Sequence, residues 1–68
     1  MFGETVRRLR LARGLTQEKL AELADVNVSY IGFIERGENV PTLTVVIDLS
    51  RAFQVEVAEL LRDVVRKR

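Results

Sequence analysis

The chain contains no cysteine, no histidine and no tryptophan, and only one of its 68 residues is proline. Without cysteine no disulfide can stabilise the fold, and without cysteine or histidine the usual zinc ligands and the commonest general base are missing. The carboxylates of Glu18 and Glu22 have a spacing typical of an exposed helical face rather than of a catalytic pair. We therefore expect no metal site, no cofactor and no enzymatic activity.

Long apolar segments are also missing from the sequence. No uncharged run approaches the roughly 20 residues that are needed to span a bilayer, and the apolar stretch at residues 40–47 is interrupted by Pro41. The N-terminal sequence MFGETVRRLR has no apolar stretch after its basic residues, so it does not read as a secretory signal. These absences predict a cytoplasmic protein with no membrane partner.

Length and composition predict one small domain that includes residues 1–68. Hydrophobic residues make up 47% of the chain and charged residues 31%, which is enough for both a core and a polar surface. A chain of this size buries only about 60% of the surface that its unfolded form exposes, so its stability should be low unless a second copy adds to it. The net charge is only +1, with basic residues near both ends, so charge alone does not indicate a nucleic-acid partner.

Apolar residues recur at helical spacing in five segments, which predicts an all-α fold of five short helices. The first helix ends at Gly14, a residue suited to the left-handed cap of a helix. The second follows Thr16 as its N-cap and covers about residues 17–24. The predicted apolar stripes of these two helices consist of Phe2, Val6, Leu9 and Ala12, and of Leu20, Leu23 and Ala24.

The remaining three helices follow from the same spacing. Asn27 can cap a third helix over about residues 28–36, and Gly37 closes it. Thr42 follows Pro41 as the cap of a fourth helix, and the fourth and fifth helices cover about residues 43–65. Their predicted apolar faces consist of Tyr30, Ile31 and Ile34 in the third helix, of Leu43, Val46, Leu49 and Phe53 in the fourth, and of Val57, Leu60, Leu61, Val64 and Val65 in the fifth.

The second and third helices are the pair that is most informative about function. Only residues 25–27 separate them, as in a helix-turn-helix, whose second helix enters the major groove of DNA. Ala21 is small enough to let the two helices approach each other closely. Val26, Ile31 and Ile34 would anchor the turn and the second helix to the core.

Four sequence blocks support this interpretation, namely LTQEKLA at residues 15–21, SYI at 29–31, IERGE at 34–38 and PTL at 41–43. In these blocks the chain resembles the phage repressor/Cro type of helix-turn-helix proteins, and the similarity extends from about Phe2 to Leu61. The resemblance implies a five-helix, repressor-like domain that acts as a homodimer on a palindromic, double-stranded DNA operator. The length suggests a small stand-alone regulator such as a restriction-modification controller, with an excised domain of a longer repressor as the alternative.

The resemblance also implies which residues contact the DNA backbone. Thr16 and Gln17 match the start of the second helix, where side-chain and backbone N–H groups meet a phosphate, and a helix N-terminus is physically suited to an anion. Contacts of this kind orient a protein without reading the base sequence. Asn27 and three later residues match further positions that contact the DNA backbone. These positions lie around the recognition helix and the loop that follows it, and the later residues are Arg36, Asn39 and Thr42.

Base reading falls to the face of the third helix opposite its apolar side, which holds Val28, Ser29, Gly32 and Phe33. No Arg, Asn or Gln capable of a bidentate bond to a base edge lies on this face. Val28 and Phe33 could contact thymine methyl groups, while Ser29 could make one hydrogen bond. Specificity would then come from apolar contacts, from DNA shape or from loop residues.

Three residues concern structure rather than contact with DNA. Arg10 and Glu35 match an ion pair that joins the first helix to the third in the family. Asp25 stands where the family usually has a glycine with positive φ, a conformation that Asp tolerates better than most residues.

The fourth and fifth helices carry more apolar surface than five short helices need for one core. We therefore expect a two-fold dimer through these helices, which would place two recognition helices about 34 Å apart, one turn of DNA. The residues of the fifth helix that we assign to this interface are Val57, Leu61, Val64 and Val65.

The sequence also allows partners other than DNA. Val28, Gly32 and Phe33 would also suit a groove on another protein, so a protein-binding helix-turn-helix module, such as an adaptor or an antitoxin-like module, is the alternative function. The resemblance further implies RNA polymerase as a partner of activators of this type, which contact it through an acidic surface. Glu38 and Asp48 are the candidates for that surface.

Overall fold

The computed structural model describes the backbone of residues 2–66 and the side chains of residues 2–62, and over this range it contains five α-helices and no strand. The all-α, five-helix fold predicted from the sequence is confirmed. α3 ends one residue before the expected end at residue 36, because Arg36 is its C-cap. The helices are α1 (Phe2–Ala12), α2 (Gln17–Ala24), α3 (Val28–Glu35), α4 (Leu43–Phe53) and α5 (Val57–Arg66).

Polar side chains define where the three middle helices begin. Thr16, Asn27 and Thr42 each accept a hydrogen bond from a backbone N–H in the first turn of α2, α3 and α4, at 3.0, 2.8 and 3.3 Å respectively. Each of these bonds satisfies an N–H that the start of a helix leaves without an intrahelical partner. The chain therefore enters each helix at a residue whose side chain fixes the first turn.

Among the described residues, two that are not glycine adopt the left-handed conformation, namely Asp25 with a φ of 59° and Gln54 with a φ of 60°. Asp25 ends α2, and the N–H of Val26 then donates to the carbonyl oxygen of Ala21 at 3.0 Å, which closes the turn. The positive φ expected at Asp25 is confirmed. Nothing in the sequence marked Gln54, which ends α4 in the same way.

The core of the described residues draws buried apolar side chains from all five helices. α1 packs against α3 and α5, α2 packs against α3 and α4, and α4 packs against α5. Each helix of the helix-turn-helix therefore has a further helix packed against it, α1 against α3 and α4 against α2. The buried side chains are Val6, Leu20, Ala21, Ala24, Ile31, Ile34, Val46, Leu49, Phe53 and Leu60.

The assignment of Ala12, Leu23 and Leu43 to buried stripes is wrong. Leu23 is 48% exposed and Leu43 is 66% exposed, and Ala12 is also exposed. All three lie in the terminal turn of their helices. Helical spacing identifies the side of a helix that faces the core, but it does not tell where along its length the neighbouring helices stop covering that side.

Gly3 marks a close approach between α1 and α3. A Cβ atom on Gly3 would clash with the backbone carbonyl oxygen of Ile34 and would lie 3.0 Å from that of Glu35. Because these oxygens belong to helix backbone, they cannot move aside as the end of a flexible side chain could.

Gly3→Ala should therefore lower the free energy of unfolding by about 1 to 3 kcal/mol, the usual cost of overpacking. Urea denaturation would measure this change. Arg7→Ala replaces an exposed residue of the same helix and is the matched control, with an expected change of less than about 0.5 kcal/mol. Identical unfolding midpoints for wild type and Gly3→Ala would contradict the close approach.

Candidate nucleic-acid interface

A buried ion pair joins the helix-turn-helix to α1. Nε of Arg10 donates to Oε2 of Glu35 at 2.7 Å, and Nη2 donates to Oε1 at 3.1 Å. The side chain of Arg10 is only 11% exposed to solvent, and that of Glu35 only 4%. Nη1 of Arg10 also donates to the carbonyl oxygen of Leu15, at 2.9 Å, in the segment between α1 and α2.

The hydrogen bonds and the negative charge of Glu35 raise the pKa of Arg10 above its ordinary value, and they outweigh the loss of hydration that would lower it. The guanidinium is therefore charged whenever the protein is folded. One charged group thus connects α1, the segment that precedes α2, and the end of α3.

Gln17 extends this network to the first residue of α2. Its Nε2 donates to Oε1 of Glu35 at 3.1 Å, and its side chain is half-buried. Because Glu35 is itself held by Arg10, the side-chain amide of Gln17 is oriented before any ligand arrives. Glu35 therefore positions the residue that the sequence predicted to contact a phosphate.

Gln17 and the outward side of α3 line one shallow, open depression with a volume of about 270 Å³. The depression brings together all four residues that the sequence predicted to face bases and two of those that it predicted to contact phosphates. Its lining consists of Gln17, Val28, Ser29, Gly32, Phe33 and Arg36.

Three of the four base-facing residues are accessible in this depression. Val28 is 38% exposed and Phe33 is 39% exposed, and Ser29 is exposed as well. Gly32 also lines the depression but is itself buried, so its assignment as a base-facing residue stays a prediction. The cover over Gly32 comes from Arg36, since a Cβ atom on Gly32 would lie 3.1 Å from Nη1 of Arg36.

Arg36 folds back along α3 from its position at the C-cap. Nε and Nη2 donate to the two carboxylate oxygens of Glu38, at 3.1 and 3.2 Å, and the hydrogen bond to Glu38 raises the pKa of Arg36. The guanidinium carbon lies 5.3 Å from the centre of the Phe33 ring, within the range of a cation–π contact. The sequence placed Arg36 with the phosphate contacts, whereas the structure places its guanidinium among the residues predicted to face bases.

The other predicted phosphate contacts border the helix-turn-helix. Thr16, Asn27 and Thr42 are the N-caps of α2, α3 and α4. Their side-chain oxygens already accept backbone N–H groups, so the groups that they could offer to a phosphate are hydroxyl and amide donors. Asn39 is exposed in the segment that joins α3 to α4.

The residues predicted for a dimer interface are partly used within the monomer. Val57 and Leu61 are half-buried and pack against the core. The side chains of Val64 and Val65 lie outside the described residues. Of the two acidic candidates for polymerase contact, Glu38 is engaged by Arg36, and Asp48 is half-buried.

Sequence reasoning missed the position of the Arg36 guanidinium and the bond between Gln17 and Glu35. A signal for the first was present, because Gly32 is a glycine inside a helix and lies four residues before Arg36. Residues four apart share one helical face, so a missing side chain at residue 32 leaves room for the longer one at residue 36. No comparable signal linked Gln17 to Glu35.

Residues 2–62, whose side chains the structure describes, contain no cluster of His, Cys, Asp or Glu that could hold a metal ion. Within the described range, no helix combines the length and the apolar character that crossing a membrane requires.

Residues 6–60 match the model of the helix-turn-helix family. Control protein C.SmaI of Serratia marcescens is 39% identical over 61 residues, which are 90% of this chain and 73% of that protein. Control protein C.BamHI of Bacillus amyloliquefaciens is 39% identical over 62 residues, which are 90% of this chain and 76% of that protein.

The same relationship holds for the three-dimensional structure. The crystal structure of the restriction-modification controller protein C.AhdI from Aeromonas hydrophila superimposes with a TM-score of 0.85 at 42% identity, and the match covers 87% of this chain and 89% of that one. Together with the helix pair α2 and α3, these matches show that the chain belongs to the helix-turn-helix family of DNA-binding transcriptional regulators, which is not a family of enzymes.

Proposed function

We propose that the protein is a sequence-specific transcriptional regulator that binds a palindromic, double-stranded DNA operator as a homodimer, with α3 in the major groove. The observation that carries this proposal is the convergence of the start of α2 and the outward side of α3 on one depression. In a helix-turn-helix, the first helix crosses the DNA backbone while the second enters the groove. The depression holds side chains suited to both tasks.

The start of α2 is the proposed contact to the DNA backbone. Thr16 caps the helix, and Gln17 follows it with an amide that Glu35 orients. The N–H groups of the first helical turn and the partial positive charge of the helix N-terminus favour a phosphate at this point. This contact would set the depth and the angle at which α3 enters the groove.

The accessible side of α3 is the proposed contact to base edges. Val28 and Phe33 present apolar surface that suits thymine methyl groups, and Ser29 presents a hydroxyl that can donate or accept one hydrogen bond. Because the net charge is only +1, attraction to the DNA backbone at long range is weak. Affinity would therefore depend on these short-range contacts and on two copies of the chain.

The two-fold dimer supplies the second copy. Two α3 helices held about 34 Å apart would enter successive major grooves on one side of the duplex. Three proteins that are named control or controller proteins are 39–42% identical to this chain, which supports a regulatory function for it. Activation of transcription would add RNA polymerase as a partner, with Asp48 as the acidic candidate that Arg36 does not engage.

Selection from a library of random DNA duplexes, followed by a salt series on the selected sequence, tests the proposed function. We expect an enriched palindrome whose binding constant falls with salt, with a slope of about −0.9 for each phosphate that an arginine or lysine neutralises. If no sequence is enriched, operator binding fails, and the accessible apolar residues Val28 and Phe33 favour the protein-binding alternative.

Gln17→Ala should weaken binding to all DNA sequences by about 1 to 2 kcal/mol, because it removes a hydrogen bond to a charged phosphate. Fluorescence anisotropy with the selected operator and with a scrambled duplex would measure both affinities, and circular dichroism would confirm that the variant is folded. Equal losses on the two duplexes are expected, since a backbone contact carries no sequence information. Unchanged affinity for both duplexes would contradict the proposed contact.

A further inference from the structure

The outward side of α3 lacks a base-reading side chain of the usual kind. Between Val28 and Phe33 it offers two apolar side chains, one hydroxyl and a glycine. Bidentate donors such as an arginine guanidinium give the strongest discrimination among base pairs in the major groove. A guanine in the operator would therefore have to be read by a group from elsewhere.

Arg36 brings this group to the depression from the end of the helix. Side chains on a helix point back toward its N-terminus, and the guanidinium of Arg36 lies over Gly32, with Nη1 3.1 Å and the guanidinium carbon 3.8 Å from where a Cβ atom would be. A Cβ atom at residue 32 would already crowd Nη1, and a longer side chain would extend toward the space that the guanidinium occupies. The glycine thus allows the guanidinium to lie within the predicted base-facing surface.

Two neighbours hold the guanidinium in place. Phe33 lies against its face, and the carboxylate of Glu38 binds the edge formed by Nε and Nη2. The other edge, formed by Nη1 and the second N–H of Nη2, has no acceptor among the described residues. That edge carries two parallel donors, the arrangement that matches the O6 and N7 atoms of guanine.

The carboxylate of Glu38 also influences whether Arg36 binds a base or a phosphate. Any phosphate that approaches Arg36 also approaches the negative oxygens of Glu38, which lie 3.1 and 3.2 Å from the nitrogens of the guanidinium. The carboxylate neutralises much of the charge that would attract a phosphate, whereas a bond to the uncharged edge of a guanine depends on the two free donors rather than on that charge. The pair therefore favours a base edge over a phosphate.

We propose that Arg36 is the residue that determines specificity, and that it reads one guanine in each half of the operator from the position over Gly32. The inference rests on the proposed function, because it names which residue of the same surface selects the sequence. Phe33 and Glu38 are positioning residues in this arrangement.

The experiment is selection from a random duplex library with wild type, Arg36→Lys and Gly32→Ala. For wild type we expect a guanine at one position of the half-site, and its replacement should weaken binding about tenfold or more. Arg36→Lys keeps the charge and loses the two parallel donors, so the penalty at that position should fall below about threefold while the other positions keep their preferences. Arg51→Lys, at an exposed arginine of α4, is the matched control and should select the wild-type sequence.

Gly32→Ala tests the position of the guanidinium independently. The added Cβ would lie 3.1 Å from Nη1 of Arg36, so the guanidinium would have to shift by a few tenths of an ångström. Alanine in place of glycine favours the helix, so the variant should remain folded. The preference for guanine should fall at the same position as in Arg36→Lys. In the double variant, Gly32→Ala should cause no further loss at that position.

The outcomes separate the two proposals. If wild type selects an operator, and Arg36→Lys and Gly32→Ala select the same operator with an unchanged penalty at every position, Arg36 does not read a base. The inference is then overturned while the proposed function stands. If wild type enriches no sequence, the proposed function fails and the inference fails with it.

Discussion

Replacing Glu35 with alanine should lower the free energy of unfolding by about 3 to 5 kcal/mol, because it leaves the charge of Arg10 buried without its partner. Both side chains of this pair are almost fully buried, and two hydrogen bonds join them. A core of this size rarely supplies more than about 3 to 5 kcal/mol of stability in total. Much of the Glu35→Ala protein should therefore be unfolded at room temperature.

Thermal and urea denaturation followed by circular dichroism would measure the change. The chain supplies a matched control in the exposed pair of Lys19 and Glu22, whose side chains are 53% and 71% exposed and whose charged atoms lie 3.2 Å apart. Glu22→Ala should cost less than about 1 kcal/mol, as exposed ion pairs usually do. Equal unfolding midpoints for Glu35→Ala and Glu22→Ala would contradict the importance of the buried pair.

The pH dependence of the buried pair has a definite sign. Glu35 raises the pKa of Arg10 in the folded state, so the stability that comes from Arg10 is fully present below the pKa of arginine in the unfolded chain. It is lost only as pH rises through the still higher value of the folded state. Between pH 6 and pH 9, roughly, protonation of Arg10 should therefore contribute no change in stability.

Replacing Leu61 with glutamate should give a monomer whose affinity for the operator is reduced about 100-fold or more. Leu61 is half-buried within the monomer, and its remaining surface is the part that we assign to the dimer interface. A carboxylate there would have to be desolvated in both copies. Without the dimer, each α3 binds its half-site alone, and the advantage of a linked second site, about 10² to 10⁴ in affinity, is lost.

Sedimentation at several protein concentrations would report the oligomeric state, and titration of the selected operator would report the affinity. Because Leu61 also packs against the core, circular dichroism must show that the variant keeps its helices. Gln54→Glu changes the net charge by the same amount at an exposed residue and should remain dimeric. A wild type that stays monomeric at high micromolar concentration would contradict the interface, as would a folded Leu61→Glu protein that binds the operator with full affinity.

Features that depend only on residues close together in the chain could be predicted from the sequence. Thr16, Asn27 and Thr42 predicted the starts of three helices, because an N-cap acts on backbone groups within the next turn. The same holds for Asp25, whose left-handed conformation follows from the break between two helical patterns. The helix-turn-helix is itself a local motif, so its two helices and its turn were visible in residues 16–36.

Features that depend on how the helices meet could not be read in the same way. Helical spacing assigned Leu23 and Leu43 to the core, but where neighbouring helices end decides whether such residues are covered. Gly3 showed no pattern of its own, since its importance comes from the backbone of α3 against it. The ion pair of Arg10 and Glu35 was expected only from the resemblance to a family, because the two residues lie 25 positions apart in the chain.

The sequence by itself determined the five helices and the N-caps of three of them, because these follow from spacing and from contacts within a few residues, and the resemblance of four sequence blocks to a family indicated the class of protein. The tertiary structure alone decided which side chains the depression beside α3 contains and how they are held. Gln17 is oriented by a carboxylate from the end of α3, and Arg36 is held over Gly32 by Phe33 and Glu38. The base-facing surface that was apolar in sequence therefore carries a guanidinium in the folded protein, since the long side chain of Arg36 reaches back along the helix and fills the space that the glycine leaves.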